Sequence, residues 1–343
     1  MRKEFAVILL LFALLFGGCG QSSYEANILS SRAKSVESIA FSSDGHILAT
    51  AGGSSMQRSG VIELWDSTEL TRQRTLSGFV NKVIWASFLK GDPERIIIGD
   101  HRGEVRILSL DNAFEDRVLI PETESGYFFL TTNTFALSPN GESLAIGDHT
   151  GNLKILSLDV PSETVSLSNN NRNWNSLAFS KNSVLLAASS VQKDQNSTVE
   201  IFNSAGEVLQ TLSYSGIVSI VFSPTDEVLA ILDRRGAVRL WNYSDKKIEY
   251  EFYTQKKGKS IADFSPDGKF IAVATTEVIL GMELHGRIEI WSIEDRKRMC
   301  TFDGIADAFS INEQILFSPD GSMVATTEGG KVKVWNVADC LNS

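Results

Sequence analysis

The sequence predicts an all-β chain: a seven-bladed β-propeller over residues 26–343, its ring closed by an N-terminal outer strand. Three observations predict it. One phrase recurs seven times, made of an apolar strand, a turn of the form Ser-Pro-Asp-Gly, a second strand with a small residue at its centre, a short loop, and a third strand ending in an aromatic residue or leucine. The residue before the turn falls at Phe41, Phe88, Leu137, Phe179, Phe222, Phe264 and Phe317, at spacings of 42 to 53 residues. Third strands end in step at Trp65, Leu108, Leu156, Phe202, Trp241, Trp291 and Trp335. They alternate in the period of two that a half-buried strand requires, as in Val238, Arg239, Leu240, Trp241. A single unit of this kind cannot bury both of its faces, so the units stack.

The first 25 residues stand apart from that pattern. Arg2 and Lys3 precede an apolar run from Phe5 to Phe16, and Gly17, Gly18 and Cys19 follow. A dozen apolar residues are too few to span a hydrocarbon core of roughly 30 Å as a helix, so the run reads as an export signal over residues 1–18. Small residues before a cysteine resemble the lipobox of bacterial lipoproteins, although Phe16 stands where leucine is usual. The resemblance implies that Cys19 receives a diacylglycerol thioether and becomes the first residue of the mature chain, with palmitate-type acylation and residues 19–25 as a tether. An ordinary signal cut after Gly20 is the alternative. Gly20, and not aspartate, after the cysteine resembles lipoproteins sent to the outer membrane where two membranes exist, so the expected location is the cell envelope, outside the cytoplasm.

The repeats then account for the rest of the chain. Where the turn has proline, as at Pro139, Pro224, Pro266 and Pro319, it presets one angle, and Asp or Asn followed by Gly supplies the reversal. Only eight residues follow Trp335, too few for an outer strand in the last unit, so the segment from Ala26 to Ser30 is the natural supplier of that strand. With Cys19 consumed by lipid, Cys300 and Cys340 remain as an even pair in a compartment that permits disulfides. The sequence leaves open whether they bond.

The phrases FSPTDEVLAILDRRGAVRLWN from Phe222 and FSPDGSMVATTEGGKVKVWN from Phe317 resemble the WD40 repeat family, and the likeness covers nearly everything from Ala26 to Val337. The chain departs from the family's frequent Gly-His pair, with Phe79 after Gly78 and Tyr127 after Gly126, so the buried Asp-His-Ser-Trp network of such repeats is expected to be absent. The resemblance implies a binding platform in which loops between second and third strands share a top face with the loops leading into the next blade. On that face it places Phe79, Tyr127, Phe128, Trp174 and the insertion with Val278, Ile279, Leu280, Met282 and Leu284, read as an apolar partner surface.

Chemistry is sparse by comparison. Four histidines, no HExxH, no Gly-x-Ser-x-Gly and no phosphate loop leave one constellation, Asp100 with His101 and Asp148 with His149 in equivalent loops. These are metal candidates in principle, but Asp233, Arg234, Arg235 and Gly236 form the parallel loop without histidine, which favours a repeated hairpin turn. Arg102, Arg234 and Arg235 are candidates for receiving an anion, against the plainer reading of solvated loop side chains. A formal net charge of −10 with one short lysine run argues against nucleic acid as partner. The expectation is a monomeric, non-enzymatic scaffold without cofactor, tied to the membrane through lipid and meeting an unidentified protein. A lactonase-like propeller hydrolase and a small-anion sensor are the rival readings.

Overall fold

The computed structural model describes residues 25–111, 115–122, 134–147, 151–169, 172–191, 196–279, 282–305 and 314–341. Every sheet has four antiparallel strands, and there are seven sheets. Six are built from consecutive strands, spanning residues 35–79, 83–120, 134–169, 173–215, 217–253 and 258–305, and are blades 1 to 6. Blade 7 takes three strands from residues 315–336 and its outer strand from Asn27–Ser30, which pairs with Lys331–Asn336 in the register Asn27 to Val334 and Ser30 to Lys331. The ring therefore closes as strand counting predicts. A short helix, Val337–Leu341, follows the last strand.

Seven apolar clusters fill the seven interfaces between neighbouring blades. Ile62, Leu64, Ile96 and Ile98 join blade 1 to blade 2, and Leu29, Val36, Trp65, Val332 and Val334 join blade 7 back to blade 1. Both faces of each sheet are thus buried, which is why the strands stack in a ring and do not float as separate hairpins. A fully buried aliphatic or aromatic side chain contributes about 1.5 to 3 kcal/mol relative to exposure, so the interfaces dominate stability. Cys300 on the outer strand of blade 6 is bonded to Cys340 in the terminal helix, with Cα atoms 5.6 Å apart. This bond ties the helix that follows the closing blade to blade 6.

The innermost strand of each sheet has an edge without a strand partner, and side chains of neighbouring blades satisfy it. Ser38 Oγ accepts from the N–H of Ala86 at 3.0 Å. Ser176 Oγ accepts from the N–H of Ile220 at 3.2 Å, and Gln314 Oε1 from that of Ile39 at 2.8 Å. All three stand three residues before the turn-preceding position, so this register of the repeat stitches blades 1 to 2, 4 to 5 and 7 to 1. Asp263, two positions further along, accepts from the N–H of Phe317 at 2.8 Å. Burial pushes its carboxyl up to about 7, against the pull of the Phe317 and Phe264 N–H groups.

The lower face carries the Ser-Pro-Asp-Gly turns, and there the side chains close on themselves. Ser42 Oγ donates to Asp44 Oδ1 at 2.6 Å while accepting from the Ile47 N–H at 2.9 Å. Blades 3, 4, 6 and 7 repeat this with Ser138 and Asn140, Ser180 and Asn182, Ser265 and Asp267, and Ser318 and Asp320. Hydrogen bonds from the serine hydroxyl and the following backbone hold the Asp44 and Asp320 carboxyls below the usual range. Glycine follows in four of the five, for example Gly321 at φ 74°, where a side chain would be strained.

Candidate upper-face recognition surface

The upper face gathers the loops between second and third strands and those leading into the next blade. Its supports are buried acids in the third strands. Glu63, with no exposed surface, accepts from the N–H of Arg32 at 3.1 Å and pairs with Arg72 at 2.7 Å. Glu289 accepts from the Gln255 N–H at 2.7 Å, and Glu200 pairs with Arg172. In each case the acid holds the loop that enters its own blade. Sequence reasoning missed this device, though its signal is present. The residue two before the terminal aromatic or leucine is charged in all seven third strands: Glu63, Arg106, Lys154, Glu200, Arg239, Glu289 and Lys333.

Asp100 and Asp233 close equivalent hairpins. Asp100 Oδ1 accepts from the N–H groups of Arg102 and Glu104 at 2.8 and 3.0 Å, and its other oxygen accepts from Asn81 Nδ2 at 2.7 Å. Asp233 Oδ1 accepts from Arg235 and Ala237 at 2.8 and 3.1 Å, and Oδ2 pairs with Arg239 at 2.8 Å. Both carboxylates are spent on turn closure, the hairpin role expected from the sequence. His101 is half-buried, burial holds its imidazole below the ordinary value, and its Nδ1 has no hydrogen-bond partner among the described residues. Asp148 and His149 lie outside the described residues, and among those described no group of three His, Cys, Asp or Glu could hold a metal.

Only fragments of the Asp-His-Ser-Trp network are present among the described residues. Trp65 Nε1 donates to Thr50 at 3.2 Å, and Asn81 Nδ2 donates to Asp100 at 2.7 Å.

The expected apolar partner surface changes composition. Trp174 is a correction: it is fully buried in the interface of blades 3 and 4, its Nε1 donating to the Gly151 carbonyl at 3.0 Å. Its strand begins at Asn173, so Trp174 is a core residue and not a loop residue. Phe79 is half-buried against the cluster between blades 1 and 2, and its backbone pairs with Gly60. Tyr127, Phe128 and Leu280 lie outside the described residues, and Ile279 and Met282 are described only as strand backbone. Exposed apolar groups on this face are instead Met56, 92% exposed, and Val80, 65% exposed.

Of the candidate arginines, Arg102 is ion-paired with Glu122 on blade 2, whereas Arg234 and Arg235 stand exposed on blade 5. The described upper loops hold ten Lys or Arg residues and two acids, Glu104 and Glu122; the described lower loops hold five and sixteen. Glu124, Asp148 and Asp307 lie outside the described residues, so the positive charge is a feature of the described upper loops.

The sheets define a seven-bladed β-propeller. The model of the WD domain, G-beta repeat, matches residues 24–66 and 298–336, which are the closing strand with blade 1 and the end of blade 6 with blade 7. The model of eukaryotic translation initiation factor eIF2A matches residues 155–294. A transcriptional corepressor, LEUNIG_HOMOLOG of Arabidopsis thaliana, is 28% identical over 173 residues, 48% of this chain and 19% of its own. A WD repeat-containing protein 55 homolog of Dictyostelium discoideum is 23% identical over 153 residues, 34% of this chain and 37% of its own. The chain thus spans about a fifth and rather more than a third of these relatives.

Proposed function

We propose that this protein is a bacterial lipoprotein, acylated on Cys19, whose propeller is a non-enzymatic scaffold offering its upper face to a protein partner outside the cytoplasm. The observation that carries the reading is the contrast between the faces: lower-face serines and acids are bonded into turns, while Met56, Val80, Arg234 and Arg235 on the upper face reach solvent. WD40-type propellers generally bind protein partners, and a face that exposes both apolar groups and arginines suits such a surface.

Two further features support the location. A Cys300–Cys340 bond fits an oxidising compartment. The strand Asn27–Ser30 runs from the lower to the upper face, so a chain arriving from lipid on Cys19 joins the ring from below. The six residues between Cys19 and Ala26 reach roughly 20 Å when extended, which keeps the lower face toward the membrane. Acidic lower loops discourage tight docking on anionic lipid and leave the upper face outward.

The test follows fatty-acid labelling and membrane capture together. Cys19→Ala is expected to lose the label and the membrane fraction, and Val80→Glu to keep both while losing the cross-linked partner. Undiminished labelling of Cys19→Ala, or turnover of a lactone by the purified full chain, would overturn the reading.

A further inference from the structure

The upper rim of blade 5 carries an arrangement that the turn chemistry does not explain. Arg234 and Arg235 occupy the hairpin between the second and third strands, both exposed, and neither makes an ion pair with a described residue. Arginines elsewhere are mostly committed: Arg72 to Glu63, Arg102 to Glu122, Arg172 to Glu200, Arg239 to Asp233 and Arg287 to Asp303. Two adjacent guanidinium groups without an ion pair to any described residue, on a chain of net charge −10, need a reason.

The hairpin is also held rigidly against a second basic loop. Thr254 donates its N–H to the Gly236 carbonyl at 2.8 Å, and its hydroxyl donates to the Lys256 carbonyl at 2.7 Å. Gly236 sits at φ 84°, and a Cβ there would lie 2.6 Å from Thr254 Oγ1 and 2.9 Å from the Lys256 oxygen, so only glycine allows this approach. The contact brings the loop that carries exposed Lys257 against the hairpin that carries the arginines. Ala237 pairs with Tyr253, whose ring is 61% exposed although its hydroxyl is anchored to Glu251 at 3.1 Å.

We propose that Arg234, Arg235, Tyr253 and Lys257 form a docking site for an extended acidic segment of a protein partner. The inference rests on the upper-face reading above and names the chemistry of the partner. A small anion is the poorer fit because the turn offers it no backbone donors. The N–H of Arg234 goes to the Gly216 carbonyl, that of Arg235 and that of Ala237 to Asp233 Oδ1, and that of Gly236 to the Asp233 carbonyl. Side-chain charges in open solvent hold a single anion weakly, whereas a segment with several carboxylates engages both arginines and the lysine at once. An exposed tyrosine beside two arginines is the composition of a protein hot spot, giving flat apolar contact together with forked donors.

The test uses the full chain in detergent at low salt, with a fluorescein-labelled peptide of eight glutamates flanked by Gly-Ser as probe, its glutamine counterpart as control, and inorganic tripolyphosphate and phosphatidylglycerol vesicles as competing arms. The glutamate peptide is expected to bind and the glutamine peptide not. Arg234→Glu with Arg235→Glu should weaken binding by about tenfold or more, Tyr253→Ala by about threefold or more, and Arg32→Glu on blade 1 by less than about twofold. Melting should stay unchanged throughout, because these side chains are exposed. Binding that survives the double reversal overturns the site. Displacement by tripolyphosphate together with indifference to Tyr253→Ala would make it a small-anion site, and binding of vesicles but not peptide would make it a lipid contact. Capture from native envelopes separates the two readings. A partner lost with Val80→Glu but kept by the double reversal leaves the upper face standing and sinks the patch, and a partner kept by both sinks both.

Discussion

The two faces of the ring are made from the same repeat and do different work. On the lower face five of the seven turns use the same serine hydroxyl and Asp or Asn oxygen to close the same loop, from Ser42 with Asp44 to Ser318 with Asp320. On the upper face the loops vary in length and charge, and their fixed parts are underneath, in buried Glu63, Glu200 and Glu289. The difference teaches that a repeated turn with its polar atoms satisfied is a joint, and that recognition in this chain belongs where loop side chains are left facing water.

Removing the closing strand, residues 27–30, should have the largest effect on this arrangement. It leaves blade 7 with an open edge and takes buried Leu29, 4% exposed, out of the interface with blade 1, so cooperative melting should fall by more than about 10 °C in calorimetry. Equal melting of the shortened chain would mean that the ring closes some other way. Replacing Cys300 and Cys340 by serine comes next. A bond closing 40 residues is worth about 3 to 4 kcal/mol in the chain-entropy model, measurable as a lower denaturant midpoint, and the cost should fall on blades 6 and 7 in hydrogen exchange.

A matched pair then compares the faces directly. Ser318→Ala removes a hydroxyl that donates to Asp320 and accepts from the Met323 N–H at 2.9 Å, and should cost about 1 to 2 kcal/mol in urea unfolding. Arg234→Ala should stay within about 0.5 kcal/mol. Similar costs for the two would erase the distinction between joint and recognition surface.

How much of this was legible in the sequence depends on what the repeat reveals. Register fixed the blades, and counting strands after Trp335 identified the segment that closes the ring, because both depend only on spacing. Trp174 was misplaced because it precedes the recognisable part of its strand. Its register, five before the turn-preceding residue, is shared by Val36, Val83 and Ile217, which are all buried, and that comparison would have found it. Glu63, Glu200 and Glu289 were hidden for another reason. A charged residue between apolar ones reads as the solvent side of a strand, whereas in a stacked ring both sides of a third strand are interior. The exposed pair Arg234 and Arg235 was visible, but which described residues could pair with it depends on the tertiary fold.

The effect confined to one pH range concerns Asp263, the carboxyl between blades 6 and 7. Its folded pKa near 7 lies above the ordinary 3.8, so the folded state holds the proton through that window. Its contribution to stability is present in full below about pH 4, is lost progressively as pH rises to about 7, and stays lost above. Asp263→Asn, which keeps an oxygen for the Phe317 N–H, should raise the melting temperature at pH 8 by several degrees and leave it nearly unchanged at pH 4. An identical pH profile for variant and wild type would place the titration elsewhere.

The account stands or falls on which face meets the partner while the chain is anchored. A photo-cross-linking residue placed singly at Val80 or Arg235 on the upper face, and at Glu69 or Asp245 on the lower face, would be activated in intact envelopes. The account predicts that the upper positions give a discrete protein adduct and the lower ones give lipid or none. Protein adducts from Glu69 and Asp245, with Val80 and Arg235 silent, would contradict it.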